Sequence, residues 1–237
     1  VKLEEFKFIF LRQDPPFDMH YITSTYLLDC LPESTKVINN PSSVRNAAEK
    51  ILPFKFKEFM PPTLISQSVD EIKNFFKVYK DIITKPLYGN GGEGIHRSQD
   101  GLLEGIDIQS DYLEMPIMAQ KYIPEISEGD RRIIFFDGDY VGSVARIPLQ
   151  GSIKANFHAG GLAKKTGLVF RDQQIIEALA RELKKMDLFF VGIDIIGNFL
   201  TEINVTSPTG IKQINKLNNV KLEQVFWDKL EAKYKIV

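Results

Sequence analysis

The segment Val191-Gly-Ile-Asp194-Ile-Ile-Gly-Asn-Phe-Leu-Thr-Glu202-Ile-Asn204-Val-Thr-Ser-Pro-Thr-Gly210 constrains this chain more than any other. Its β-branched residues are broken by Gly197-Asn198 and closed by a polar, Pro-containing loop, so it reads as two short strands joined by a turn. Three oxygen-bearing side chains, Asp194, Glu202 and Asn204, stand inside this apolar hairpin. Carboxylate and amide oxygens are the donors that a hard cation such as magnesium takes. Register decides whether one ion can meet all three. A two-residue loop at 197–198 pairs Asp194 with Thr201 and turns Glu202 and Asn204 to the other face. A three-residue loop, Ile196 to Asn198 with Asn198 left-handed, aligns 194, 202 and 204 on one face. The three-residue loop is therefore expected. The alternative is an edge hairpin whose polar residues are simply solvated.

Length and composition set wide limits around that hairpin. With 237 residues the chain suffices for one large domain or two lobes sharing a cleft. A net charge of −1 gives no reason to expect a nucleic-acid or membrane-surface partner. No apolar run approaches the roughly 18 residues of a membrane span, and no secretory signal is visible. A single cysteine excludes an intrachain disulfide and fits a reducing, cytoplasmic setting. Cys30 lies in an apolar run, Tyr-Leu-Leu-Asp-Cys-Leu, and is expected to be a buried structural thiol.

Before the hairpin the chain alternates strands and helices. Lys7–Leu11 reads as a strand running into the polar loop Arg12-Gln-Asp14-Pro-Pro-Phe-Asp18, at the strand end where α/β sheets bind ligands. A helix from Met19 to Leu31, a strand at 36–39 and a helix capped by Asn40 and carrying Glu49-Lys50 follow. Ser68-Val-Asp-Glu71 is a capping box opening a helix to Lys80, and Asp81 to Tyr88 is a strand with one lysine, Lys85. The glycines from Gly89 to Gly94 formally satisfy G-x-G-x-x-G. However, Ile95-His-Arg-Ser suggests a strand rather than the helix a Rossmann fingerprint needs. That leaves a glycine flap closing over phosphates, or a plain turn. Met118 to Pro124 is a strand leaving through a proline, able to offer backbone groups to a planar base or to serve as a connector. Asp137-Gly138 marks a tight hairpin whose return strand, Tyr140 to Ile147, carries Arg146 near its end. The stretch from Pro148 to Val169, with Lys154, His158, Lys164 and Lys165, is expected to be a structureless basic lid or else solvated surface, and Asp172 to Met186 a helix.

Strand lysine, glycine flap, hinge, Asp-x-Arg, strand-end arginine, glycine lid and the Asp…Glu-x-Asn hairpin follow in an order that resembles the ATP-grasp ligases. Within them the chain closely resembles the bacterial glutathione synthetases over nearly its whole length. The residues that carry the likeness are Arg12 to Asp18, Lys85-Pro-Leu, Met118 to Pro124, Gly129 to Arg132, Ala145 to Pro148, Ala159 to Gly161 and Val191 to Thr209. The resemblance implies an α/β chain of α+β lobes. A truncated N-terminal α/β domain over 1–45 would precede an ATP-grasp domain over 46–237, with a small lobe at about 50–122 and a large lobe at about 123–237. It implies cytoplasmic ligation of γ-glutamylcysteine and glycine, driven by ATP with magnesium or manganese, in a protein that is a homo-oligomer when full length.

The resemblance also implies roles. Lys50 and Lys85 reach the phosphates under Gly91 and Gly92. Gln120, Lys121, Tyr122 and Ile123 meet adenine, and Asp130 the ribose. Arg132 and Arg146 stabilise the transferring phosphoryl group. Asp194, Glu202 and Asn204 hold the metal, with Asn204 also near the nucleotide. Arg12, Asp14, Arg146, Ser207, Thr209 and Gly210 line the peptide substrate. Two departures stand out: most of the N-terminal lobe is absent, and the lid carries Lys154 where arginine is commoner. Competing expectations are a ligase for another carboxylate–amine pair, or a nucleotide-binding piece without turnover.

Overall fold

The computed structural model describes residues 1–89 and 91–235, so Asn90 of the glycine run lies outside it. A parallel pair opens the chain: β1 (Phe8–Phe10) and β2 (Lys36–Ile38), joined through α1 (Met19–Asp29). Asp18 caps α1 by accepting from the N–H groups of His20 (2.9 Å) and Tyr21 (3.0 Å). Cys30 is exposed, contrary to the sequence expectation. α1 buries only the stripe of Tyr21 and Thr25, and Cys30 follows the last helical residue, off that stripe.

α2 (Pro41–Arg45), capped by Asn40, is shorter than expected and does not carry Glu49-Lys50. Its end falls at Asn46, whose side chain donates to the Ser42 carbonyl (2.8 Å) and so competes with the backbone ladder. Glu49 and Lys50 sit in the turn that follows, ahead of a 3-10 segment at Leu52–Phe59. Asn39, just past β2, ties this first unit to the rest. Its amide donates to the carbonyls of Phe190 (2.8 Å) and Val205 (3.0 Å) and accepts from the Phe190 N–H (2.7 Å).

The small lobe is an antiparallel sheet of β3 (Thr63–Ser68), β4 (Ile82–Pro86), β5 (His96–Ser98) and β6 (Tyr112–Lys121), in the order β3-β6-β4-β5. α3 (Val69–Tyr79) covers one face. Ser68 caps it, but the Glu71 carboxylate takes the Ser66 hydroxyl (2.5 Å), so the expected reciprocal box is only half formed. Alternation along β4 does the positioning: Ile82 packs with Ile72, Phe76 and Ala119 under α3. Ile83 and Lys85 are therefore turned to the opposite face with Gln120, the cross-strand partner of Ile83.

The large lobe has five strands in the order β11-β10-β7-β8-β9. These are β7 (Asp130–Phe136), β8 (Asp139–Ile147), β9 (Leu162–Lys164), β10 (Phe190–Ile196) and β11 (Phe199–Asn204). The β7–β8 turn is Asp137-Gly138 as expected, both left-handed at φ 50° and 76°. One sheet face, with Ile133, Phe135, Val191, Ile193 and Ile195, packs on Ile175, Leu179 and Leu183 of α4 (Phe170–Lys185). The other face carries Ile134, Phe136 and Val144 under α5 (Ile211–Asn218) and α6 (Leu222–Tyr234), then opens to the cleft. The segment expected to be a structureless lid contains a 3-10 turn at Phe157–Ala159 and β9, which adds to the sheet edge beside β8.

The β10–β11 hairpin departs from expectation in an instructive way. Its loop is two residues, Gly197 and Asn198, with Ile196 opposite Phe199, and Gly197 rather than Asn198 is left-handed (φ 57°). The extra residue sits in the strand instead. Asp194 faces Glu202 while Ile195 faces Leu200, so Thr201 is bulged out of the ladder. The bulge restores what the three-residue loop was expected to supply.

Candidate active site

A cleft of about 720 Å³ lies between the two sheets. Its large-lobe wall follows from strand register: Arg132 pairs across with Asp194, Asp194 with Glu202, and Asp130 with Arg146. Cross-strand partners share a face. Two arginines and two aspartates interlock there, all nearly fully buried. Arg132 grips Asp194 with Nε (2.5 Å) and Nη2 (2.8 Å), and Arg146 grips Asp130 with the same pair of atoms (2.6 Å each). A third contact, from Arg146 Nη2 to Asp194 Oδ2 (2.9 Å), joins the two pairs. Burial opposes ionisation of Asp194, but Arg132 and Arg146 together outweigh it and hold the carboxyl well below its usual range. Asp130 is pushed up to about 6 by burial, which Arg146 only partly offsets. Arg146, despite burial, is held above its usual value by Asp194 and Asp130.

Arg132 also donates through Nη1 to the Thr209 carbonyl (3.2 Å), pulling the loop after β11 over the sheet. Gly192 makes that close approach possible. A Cβ there would stand 2.8 Å from Pro208 Cβ and 3.1 Å from Arg132 Cδ.

The small-lobe side brings two lysines to Glu202. Lys85 Nζ lies 3.6 Å from its carboxylate and Lys50 Nζ 4.0 Å. Lys50 is further held by the Glu49 carboxylate and by the Gly89 carbonyl (2.7 Å) at the root of the flap. Their titration diverges. Burial lowers the Lys85 pKa, helped by Lys50, whereas for Lys50 the burial penalty is overcome by Glu202 and Glu49 and the pKa rises. Gly91 and Gly92 line the cleft with left-handed φ values of 63° and 82°. Lid residues Lys154 and Asn156 close on Gly92, within 3.0 and 3.3 Å of where a Cβ would be.

Gln120, Lys121, Tyr122 and Ile123 line the cleft where the lobes join. The N–H groups of Lys121 and Tyr122 are engaged by the carbonyls of Pro62 (2.9 Å) and Asp81 (3.0 Å). The Ile123 N–H is left without a backbone acceptor among the described residues. Asp14, Ser207 and Thr209 also line the cleft, but Arg12 and Gly210, expected there from the sequence, do not. Arg12 donates to Ser207 Oγ (3.2 Å) and the Pro208 carbonyl (3.4 Å), and its guanidinium stacks over Phe190 at 4.6 Å.

Among the described residues no group of three or more His, Cys, Asp or Glu side chains forms a metal cage. The donor set at β10–β11 is two carboxylates and one amide, with Asn204 Nδ2 3.2 Å from Asp194 Oδ2. A carboxylate has about four lone-pair sites; at Asp194 Arg132 and Arg146 take three and Asn204 Nδ2 the fourth, so an ion there would displace the Asn204 amide contact and leave the arginines in place. Hard oxygens that leave coordination to phosphate and water fit magnesium.

Sequence reasoning missed Glu49 and the apolar walls Ile83, Ile126 and Ile196. Alternation opposite α3 could have found Ile83. Nothing local marks Glu49, which matters only once β11 lies beside it and the Ile203 N–H donates to its carbonyl (3.0 Å).

Residues 49–219 match the model of the prokaryotic glutathione synthetase ATP-grasp domain, and residues 1–45 that of the prokaryotic glutathione synthetase N-terminal domain. The chain belongs to the prokaryotic glutathione synthetase family. It is 43% identical over 236 residues to the glutathione synthetase of Agrobacterium fabrum, covering 98% of this chain and 74% of that one. The glutathione synthetase of Brucella melitensis is 42% identical over 98% of this chain and 75% of its own length. Among solved structures, a D-cycloserine synthetase superposes with TM-score 0.67 at 15% identity, over 91% of this chain and 80% of that one. A D-alanine–D-alanine ligase from Bacillus anthracis complexed with ATP gives 0.63 at 15% identity, over 99% and 82%. These likenesses establish the ATP-grasp fold, and family membership makes the chain an ATP-dependent ligase of small-molecule substrates. Among the described residues no helix is long and apolar enough to cross a membrane.

Proposed function

We propose that this cleft joins γ-glutamylcysteine to glycine, forming glutathione, ADP and phosphate. One observation carries the assignment of roles: four cationic side chains from both lobes, Lys50, Lys85, Arg132 and Arg146, converge on one cleft beside Asp194 and Glu202. Phosphoryl transfer asks the protein mainly for positioning and charge neutralisation, and the cleft supplies both.

The cysteinyl carboxylate of the dipeptide attacks the γ-phosphorus of ATP, and ADP leaves. The glycine amine then attacks the acyl phosphate carbonyl, phosphate departs, and the amine gives up its proton as the amide forms. Lys50 and Lys85 grip the phosphates under Gly91 and Gly92, while Gln120 to Ile123 receive adenine and Asp130 the ribose. Arg146 and Arg132, already forked onto aspartates, lie ready for the oxyanion of the acyl phosphate without reorganising. Arg12 positions Ser207, and Asp14, Ser207 and Thr209 face the peptide, with Gly210 beneath the loop. Asp194, Glu202 and Asn204 would hold magnesium, or manganese in its place. Such an ion supplies charge neutralisation for the β- and γ-phosphates. A cytoplasmic setting, supported by membership of a biosynthetic family, and assembly as a homo-oligomer when full length are part of the same proposal.

Coupled ADP release, run with each substrate omitted in turn, tests this. Release should require γ-glutamylcysteine and glycine together for sustained turnover. Glu202→Ala should lower kcat/KM by about a thousandfold or more. A near-normal rate in that variant would remove Glu202 from the metal set. Faster turnover with another carboxylate–amine pair would replace the substrate assignment.

A further inference from the structure

At the back of the hinge, three residues form a closed triangle. Arg97 on β5 grips Asp81 with Nε (2.9 Å) and Nη2 (2.8 Å). The same guanidinium lies 3.6 Å from the ring centroid of Tyr122. The triangle closes through backbone, as the Tyr122 N–H donates to the Asp81 carbonyl (3.0 Å). Tyr122 lines the cleft, whereas Arg97 and Asp81 do not.

The hinge has little slack in its hydrogen bonding. With the Lys121 and Tyr122 N–H groups committed to Pro62 and Asp81, only the Ile123 N–H remains to meet a base edge. Its position is set by the residue before it. Tyr122 is held twice, at its backbone by Asp81 and at its ring by Arg97, and Arg97 fixes Asp81 as well. We infer that Arg97 is a positioning residue for nucleotide recognition: it clamps Tyr122 and so places the hinge donor that reads the adenine base. The inference rests on the hinge reading above.

The geometry suits that role better than a structural one. Arg97 and Asp81 are about one-third exposed at the side chain, where an ion pair adds little to folding. A planar guanidinium can fork onto a carboxylate and stack on a ring at once, which lysine cannot do. A cation–π contact of this kind, together with a misplaced single donor, corresponds to about a tenfold change in binding.

The test uses the full chain with ADP, tripolyphosphate and GDP as calorimetric probes, beside steady-state kinetics. Arg97→Ala should raise the ADP Kd and the KM for ATP about tenfold while leaving tripolyphosphate binding and kcat at saturating ATP within about twofold. Arg97→Lys should recover part of the loss, since it keeps the charge over the ring but not the fork. Tyr122→Leu should weaken ADP binding similarly, and the double variant Arg97→Ala/Tyr122→Leu should be no worse than either alone. Unchanged ADP binding in folded Arg97→Ala, or an equal loss for tripolyphosphate, would overturn the inference. If the parent chain bound ADP and GDP alike, the hinge reading itself would fall, a result distinct from failure of the clamp. Should Arg97→Ala not fold, Arg97→Lys reads the same split.

Discussion

The two walls of the cleft hold positive charge in different ways. On the large-lobe sheet, Arg132 and Arg146 are forked onto Asp194 and Asp130 at 2.5–2.9 Å, and the sheet beneath them is packed on both faces. On the small-lobe sheet, Lys85 approaches Glu202 only to 3.6 Å, and α3 packs on one face of the sheet through a cluster around Ile72, Phe76, Ile82 and Ala119. Guanidinium forks are rigid and directional, whereas an ammonium on a four-carbon stem is a movable point charge. Under the proposed function, the large-lobe wall would be a preorganised template for the charge that develops during reaction, and the small-lobe wall the part that grips the phosphates.

Variants on the two walls should therefore fail differently. The largest effect is expected for Asp194→Asn, which strips two buried guanidinium groups of their shared partner. It should cost about 3–5 kcal/mol of stability in denaturant titration as well as abolishing turnover. If only turnover suffered, the template would be no more rigid than the grip. Lys85→Met should reverse the sign of the stability change. Burial already disfavours the charged lysine, so the variant should unfold within about 1 kcal/mol of the parent, on the stabilising side, yet lose about a hundredfold in kcat/KM. A clear loss of stability there would erase the contrast.

The smallest effect is one of pH. Asp130 has a folded pKa near 6 against an ordinary 3.8, so the folded chain binds more protons between those values. Stability from this group therefore falls as pH rises from about 4 to 6, opposite to Asp194, whose depressed pKa contributes fully above 3.8 and is lost below it. ATP affinity should weaken by a few-fold as pH drops through about 6 and Asp130 loses its charge. Asp130→Asn should flatten that limb of the profile, which titration calorimetry across pH can read.

Much of this arrangement was legible in the sequence where period and chemistry agree. The run from Asp81 to Tyr88 reads as a strand carrying Lys85, and Asp137-Gly138 marks the β7–β8 turn. The site residues of the hairpin were correctly brought to one face, but through the wrong device. A turn has a sequence signature, whereas a bulge at Thr201 leaves none: its side chain is nearly buried and its hydroxyl donates to the Asp194 carbonyl (3.1 Å) only after the strands have paired. Glu49 was missed for the same reason, being held by Ile203, more than 150 positions away in the chain. Cys30 was misplaced because apolar neighbours in sequence do not share a helix face. What stayed hidden was tertiary, and it lay where chain segments distant in sequence meet.

The unpaired Thr201 gives the hairpin two reading frames. From the turn to Ile195–Leu200 inward and outward positions follow one parity, and from Asp194–Glu202 onward they follow the other. An inserted or deleted pair of residues at the Gly197-Asn198 tip leaves that phase intact. A single residue gained or lost between Leu200 and Glu202 shifts it, sending Glu202 and Asn204 into the space filled by Ile203 while the apolar pattern toward the turn is undisturbed. Such a change would press a carboxylate and an amide into the core at the same time as it empties the site, so the spacing of this strand is under tighter constraint than its composition.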